Sequence, residues 1–170
     1  VEGQVWYNST TGALKGASVT TVGSWSTGGS LNTARFQLGG AGIYTAGLAI
    51  GGRTGLAITE KYDGTSWTEV NDLNTGRSQL GGAGTQTSAL AFGGEGPPTT
   101  GATESYNGTS FSEVADLNTA RYALRGAGVD NTSVLAFGGG PGNKSETETW
   151  NGTSWAETAD LNTGRAALAG

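Results

Sequence analysis

The sequence predicts an all-β protein made of repeated four-strand units. Three observations carry that expectation. Gly accounts for 32 of the 170 residues, while only 14% are charged and 35% hydrophobic, so small polar residues make up much of the rest. β-Branched Thr and Val and five Trp suit pleated strands joined by tight turns. The pentapeptide Leu-Asn-Thr-Gly/Ala-Arg occurs four times, at 31–35, 73–77, 117–121 and 161–165, in steps of 42, 44 and 44 residues.

Other features keep the same order around each copy. An aromatic stands six residues before each Leu: Trp25, Trp67, Phe111 and Trp155. A glycine pair recurs at Gly51-Gly52, Gly93-Gly94 and Gly138-Gly139. The turns Asp63-Gly64-Thr65-Ser66, Asn107-Gly108-Thr109-Ser110 and Asn151-Gly152-Thr153-Ser154 precede three of the aromatics. One unit reads as a small-residue strand at 80–84, a turn at 85–87 and an alternating strand at 88–92. A loop at 95–101 and strands at 103–106 and 111–114 complete it. Asn107-Gly108 is expected to form a type I′ turn, which needs positive φ at both central residues.

Four short antiparallel strands in about 44 residues fit a β-propeller blade. Three complete blades are expected at about 35–74, 77–118 and 121–162, with a lone fourth strand around Trp25 and a new inner strand at 166–169. Residues 1–16 read as a linker or β-hairpin, and 17–170 as the propeller segment. Gly and Ala in the first strand of a blade let backbones approach around a central channel. Leu48, Ile50, Leu90, Phe92, Leu135 and Phe137, with Tyr62, Tyr106 and Trp150, are placed to fill the layers between blades.

Composition removes several chemistries. The chain has no Cys, His or Met. A Ser-His-Asp triad, a thiol nucleophile and the usual zinc ligands are therefore absent. Glu69, Glu113 and Glu157, and Asp72, Asp116 and Asp160, recur in successive units. Glycosidases work with a single pair of carboxylates, so these repeated ones read as structural, with Asp and Arg stitching blades or turns. No catalytic residue, metal or cofactor is expected. A net charge of −5 and a pI near 4.6 argue against a nucleic-acid partner. No apolar run reaches the ~18 residues of a membrane helix, so membrane insertion is not expected. Propellers typically close with about 4 to 8 blades. Three blades and the missing Met lead to the expectation of a longer parent chain, with closure as a homo-oligomer or an open arc as alternatives.

The order of Arg, small strand, apolar strand ending in Gly-Gly, Tyr or Trp, turn and Trp resembles the kelch repeat. The residues that carry it are the glycine pairs, Tyr62, Tyr106 and Trp150, the aromatic series from Trp25, and Arg35, Arg77, Arg121 and Arg165. The tyrosine-to-tryptophan spacing of five residues is shorter than in that family. The wording Leu-Asn-Thr-Ala-Arg with Tyr-Asp-Gly-Thr-Ser-Trp is most similar to kelch-like repeats of bacteriophage tail-fibre and other virion proteins, marine ones in particular. The stretch 2–15 is similar to their hairpin linkers. The resemblance implies a virion structural protein whose propeller is a structural or host-receptor-binding module. Its partners would be other virion proteins and a host cell-surface glycan or outer-membrane protein. A secreted or surface bacterial kelch module that binds protein is the alternative, and a carbohydrate-active enzyme comes last.

Recognition is expected where the repeats differ. The loops after the glycine pairs vary, and strand alternation puts them on the face that carries the Leu-Asn-Thr-Gly/Ala-Arg segments. The candidate ligand-binding residues are Arg53, Thr54, Glu95, Pro97, Pro98, Asn143 and Lys144. Tyr44 and Tyr122 have the chemistry to stack on sugars but are expected to pack inside blades.

Overall fold

A computed structural model describes residues 5–8 and 13–16 as strands, and residues 27–53, 55–96 and 98–167. Strands β1 (Val5–Asn8) and β2 (Ala13–Gly16) pair as an antiparallel hairpin. The remaining strands form three four-stranded antiparallel sheets, and the described residues contain no helix. The first sheet contains β3 (Gly39–Ile43), β4 (Ala46–Gly52), β5 (Leu56–Tyr62) and β6 (Trp67–Val70). The second contains β7 (Gly81–Thr85), β8 (Ser88–Phe92), β9 (Thr103–Tyr106) and β10 (Phe111–Val114). The third contains β11 (Arg125–Asp130), β12 (Ser133–Phe137), β13 (Thr147–Trp150) and β14 (Trp155–Glu157). In each sheet, strands adjacent in sequence are adjacent in space. Strand β3 lies beside β7, and β7 beside β11.

Two thin apolar layers hold the sheets together. Leu48, Ile50, Leu73 and Leu80 meet Ala89, Ala91, Tyr106 and Phe111 between the first and second sheets. Leu90, Phe92, Leu117 and Leu124 meet Val134, Ala136, Trp150 and Trp155 between the second and third. Strand β8 reads Ser-Ala-Leu-Ala-Phe, and its alternation sends alanines one way and Leu90 and Phe92 the other. Both of its faces are therefore buried. A fully buried Leu or Phe stabilises the fold by about 1.5–3 kcal/mol, so a few such side chains per layer suffice despite the low hydrophobic content. The Phe92 and Trp155 rings meet edge to face at 5.2 Å.

Two local expectations need correction. The hairpin at Asn107 is a four-residue loop closed by Asn107 N–H donating to the Ser110 carbonyl at 3.2 Å. Gly108 alone in it has positive φ, +93°. Asn107 Oδ1 accepts the Thr109 and Ser110 amides at 2.9 and 3.0 Å, which makes the turn without a second left-handed residue. Asp63 and Asn151 form the same turn. The expected strand at 166–169 also does not begin at Ala166. Residues 166 and 167 form a bend, as 36 and 37 before β3 do, while 168–170 lie outside the described residues.

Burial separates the members of the aromatic series and corrects the expectation for Tyr44. Trp155 and Phe111 are buried, but Trp67 is only half-buried. It stacks on Tyr62 at 5.0 Å and donates its indole N–H to the Gly29 carbonyl at 3.0 Å. The face that buries Phe111 and Trp155 meets a preceding sheet, whereas Trp67 stands on the first of the three sheets. Tyr44, expected inside a blade, sits in the β3–β4 turn with 89% of its surface exposed. Tyr122 is half-buried, its ring against Gly140. Trp25 lies outside the described residues.

Candidate functional site

The repeated arginines come first, because they fix the face on which the loops stand. Arg77 is fully buried. Its Nε donates to the Gly93 carbonyl at 2.9 Å, and Nη2 donates to the Ala91 carbonyl at 3.2 Å. Its Nη1 donates to the Thr75 carbonyl at 3.0 Å and to Glu104 at 2.6 Å. Glu104 Oε2 accepts the Asn74 amide and side chain at 2.8 and 3.0 Å. Arg35 pairs with Glu60 in the same way, and Arg121 with Glu148 at 2.5 Å. The pentapeptide is therefore a clamp that closes on a glutamate from the third strand of the following sheet.

The partner of the arginine is thus this glutamate, which the repeat pattern had not singled out. Asp72, Asp116 and Asp160 accept the Thr59, Thr103 and Thr147 amides within single sheets at 3.2–3.3 Å, a structural role as expected. Glu69, Glu113 and Glu157 are exposed. Burial raises the Glu60 pKa, but hydrogen bonds from Arg35 and from the Asn32 and Thr33 amides outweigh it and leave the carboxyl below its usual range. Arg165 departs from the series. It is exposed, and its Nε donates to the Thr163 carbonyl at 3.1 Å.

The same arginines join neighbouring sheets through their carbonyls. Arg77 C=O accepts from Gly52 N–H at 3.0 Å, Arg121 C=O from Gly94 at 2.9 Å, and Arg165 C=O from Gly139 at 2.8 Å. The glycine pairs are needed there. Gly51, Gly93 and Gly138 have φ of +62° to +64°, and a Cβ on Gly93 would lie 2.6 Å from the Arg121 carbonyl oxygen. Two residues beyond each arginine, a second ladder runs along the sheets. Gln79 N–H donates to Gln37 C=O, Ala123 to Gln79 and Ala167 to Ala123, at 2.7–2.9 Å.

This rigid junction carries a hollow of about 480 Å3 between the loops of the first and second sheets. Gln37, Arg53, Ser78, Glu95 and Thr99 line it, with glycine backbones between them. The Arg53 guanidinium lies 4.9 Å from the Phe36 ring centroid. Glu95 accepts the Gln79 side-chain amide, and its backbone pairs with Ser78. Of the residues singled out in the sequence, the hollow brings together Arg53 and Glu95. Pro98 is exposed in the loop beside Thr99. Asn143 and Lys144 stand apart, in the loop of the third sheet, where Lys144 pairs with Glu146 at 3.0 Å. Its amide also donates to the Gly139 carbonyl at 2.7 Å. Thr54 and Pro97 lie outside the described residues.

Sequence reading missed Gln37, Ser78 and Thr99. The signal for Ser78 lay in the register, since the residue after each clamp arginine is Phe36, Ser78 or Tyr122. A second cavity of about 490 Å3 lies between the first strands of the three sheets. It is lined largely by Gly and Ala, with Arg125 as the one charged residue among those lining it. No group of three or more carboxylates among the described residues is placed to hold a metal ion.

No protein family and no curated protein matches the chain. Among solved structures the chain is similar to that of YjhT, with a TM-score of 0.58 and 12% sequence identity. The match covers 91% of this chain and 51% of the other, so the chain spans about half the length of the structure it matches. At that identity the likeness concerns the fold alone.

Proposed function

We propose that the three sheets are blades of a kelch-like β-propeller, and that the chain is a recognition module of a bacteriophage virion appendage. The blade reading draws on the in-order four-stranded sheets, the adjacent first strands and the apolar layers between sheets. The virion reading draws on the resemblance of the repeats. The observation that carries a recognition role is the contrast between the two parts of one face. The arginine–glutamate pair recurs at Arg35, Arg77 and Arg121, whereas the side chains around the hollow differ from unit to unit. A repeated scaffold with varied loops is a common platform for binding. The partner is a component of the host cell surface.

The test uses the whole virion. Replacing Arg53 and Glu95 together by Ala removes both charged side chains of the hollow. Adsorption to host cells is expected to fall while the yield of assembled particles stays constant. Unchanged adsorption by intact particles rejects the recognition role and leaves an architectural one.

A further inference from the structure

We infer that Asn107 and Asn151 are sites of spontaneous deamidation, and that the fold retains their turns when each becomes an aspartate. Both turns lie at the strand ends away from the clamp and the hollow, beside Thr87 and Thr132 of the β7–β8 and β11–β12 turns. The modification is therefore independent of what the loop face binds.

Asn107-Gly108 and Asn151-Gly152 are the only Asn-Gly pairs in the sequence. Both asparagines are exposed. In each, Oδ1 accepts the amides two and three residues on, at 2.9 and 3.0 Å. The ring closed by the first of those bonds contains the glycine nitrogen. Among the described residues neither that nitrogen nor the asparagine Nδ2 makes a hydrogen bond, so the nucleophile and the leaving group are both free. Attack of the glycine nitrogen on the asparagine Cγ forms an N–C bond and closes a five-membered succinimide. The Cγ–Nδ2 bond breaks, and ammonia leaves with the proton from the glycine amide. The attack is intramolecular, and glycine has no Cβ to obstruct it. The two amides on Oδ1 polarise the carbonyl and stabilise the oxyanion of the tetrahedral intermediate. Water then opens the ring at one carbonyl or the other, giving aspartate or isoaspartate. The net change converts a side-chain amide and water into a carboxylate and ammonium, and each event adds one negative charge.

The other asparagines in regular contacts lack these features. Nδ2 of Asn74 donates to Glu104 at 3.0 Å, that of Asn118 to Glu148 at 2.9 Å and that of Asn131 to Ser105 at 3.0 Å. Each is followed by Thr.

The first sheet carries the product in its own sequence. Asp63-Gly64 occupies the same turn, with φ of +95° at Gly64 against +93° at Gly108 and Gly152. Asp63 Oδ1 accepts the Thr65 and Ser66 amides at 2.8 Å, and Oδ2 accepts the Ser66 hydroxyl at 3.3 Å. Ser110 and Ser154 hold the place of Ser66. The new carboxylate oxygen thus meets a donor where Nδ2 had no acceptor, and the amide bonds become charge-assisted. Ring closure at an aspartate needs the neutral acid. Hydrogen bonds from the Ser66 and Thr65 amides hold the Asp63 carboxyl below its usual range, so Asp63 stays ionised and does not react. Isoaspartate inserts an extra methylene into the chain and breaks the turn pattern.

The test incubates the full chain, folded and in urea, in mildly alkaline buffer. Peptide mapping by mass spectrometry and an ammonia assay follow the reaction. In the folded chain a gain of one mass unit is expected at Asn107 and Asn151 first, with Asn74 and Asn118 reacting only in urea. The folded chain is expected to yield a larger share of aspartate over isoaspartate than the unfolded chain. The double variant Asn107→Asp/Asn151→Asp is expected to lose the early ammonia release and to keep a urea midpoint at least equal to that of the wild type at neutral pH. A folded chain that does not react at these two sites, or that reacts equally at Asn74 and Asn118, overturns the assignment of the sites. The same isoaspartate share in both states, or a double variant that unfolds earlier, overturns the retention of the turn.

Discussion

Replacing Arg77 by Met tests the clamp directly. Met retains much of the volume and removes the charge and all the donors. The carbonyls of Thr75, Ala91 and Gly93 lose their side-chain partner, and Glu104 is left as a buried carboxylate with only Asn74 and Thr75 donating to it. Removing one partner of a buried ion pair costs about 3–5 kcal/mol, most of it the penalty of the uncompensated charge. Urea unfolding followed by Trp fluorescence and calorimetry reads this as a lower midpoint. The internal control is Arg165→Met, since Arg165 carries the same pentapeptide but is exposed. Its expected cost is below about 0.5 kcal/mol. Adding Glu104→Gln to Arg77→Met removes the stranded charge, so the double variant is expected to be more stable than Arg77→Met alone. Equal costs at Arg77 and Arg165, or a double variant that simply adds the two losses, would refute the clamp.

Two further outcomes follow from burial and titration. Trp155→Ala, in the layer between the second and third sheets, is expected to cost about 3–5 kcal/mol, and Trp67→Ala clearly less because Trp67 is half-buried; equal urea midpoints for the two variants contradict the layer assignment. Folding lowers the Glu60 pKa, so the unfolded chain takes up the proton first as the solution is acidified. The Glu60 contribution is complete above its ordinary pKa of 4.5 and is lost as pH falls through the lowered folded value. Urea midpoints measured from pH 7 downward should therefore hold until about 4.5 and then drop, with a shallower drop in Glu60→Gln. A midpoint that stays level through the acid range in the wild type argues against the effect.

The strands were the most legible part of this sequence. The period of about 44 residues and the alternation within it placed β8, β9 and β10 at their observed limits, because turn chemistry and strand period act locally. The glutamates of the clamp were not legible. Thr59-Glu60, Thr103-Glu104 and Thr147-Glu148 recur as faithfully as the arginines, yet a charged residue in an alternating strand reads as solvent-facing. Their burial depends on a segment about 30 residues away folding back over them. Trp67 and Trp155 hold the same place in the repeat yet differ in burial, a difference the local pattern does not carry. The hollow was half legible. Variable loops pointed to Arg53 and Glu95, but Ser78 comes to the hollow from the segment after the clamp arginine, through its pairing with Glu95.

The clamp also explains why the two halves of the loop face behave so differently. The Arg77 guanidinium donates to carbonyls in β8 and at its end, and a buried carbonyl left without a partner costs about 1–3 kcal/mol. An apolar residue at Arg77 would pack but would leave Ala91 and Gly93 without that donor. The planar guanidinium serves both carbonyls and Glu104 from one position, while the Arg77 carbonyl takes the Gly52 amide of the sheet before. Side chain and backbone of one residue thus set the spacing of two sheets. Residues beyond Gly52 and Gly94 carry little of that task, so substitutions such as Phe, Ser or Tyr after the arginine alter the surface without disturbing the junction.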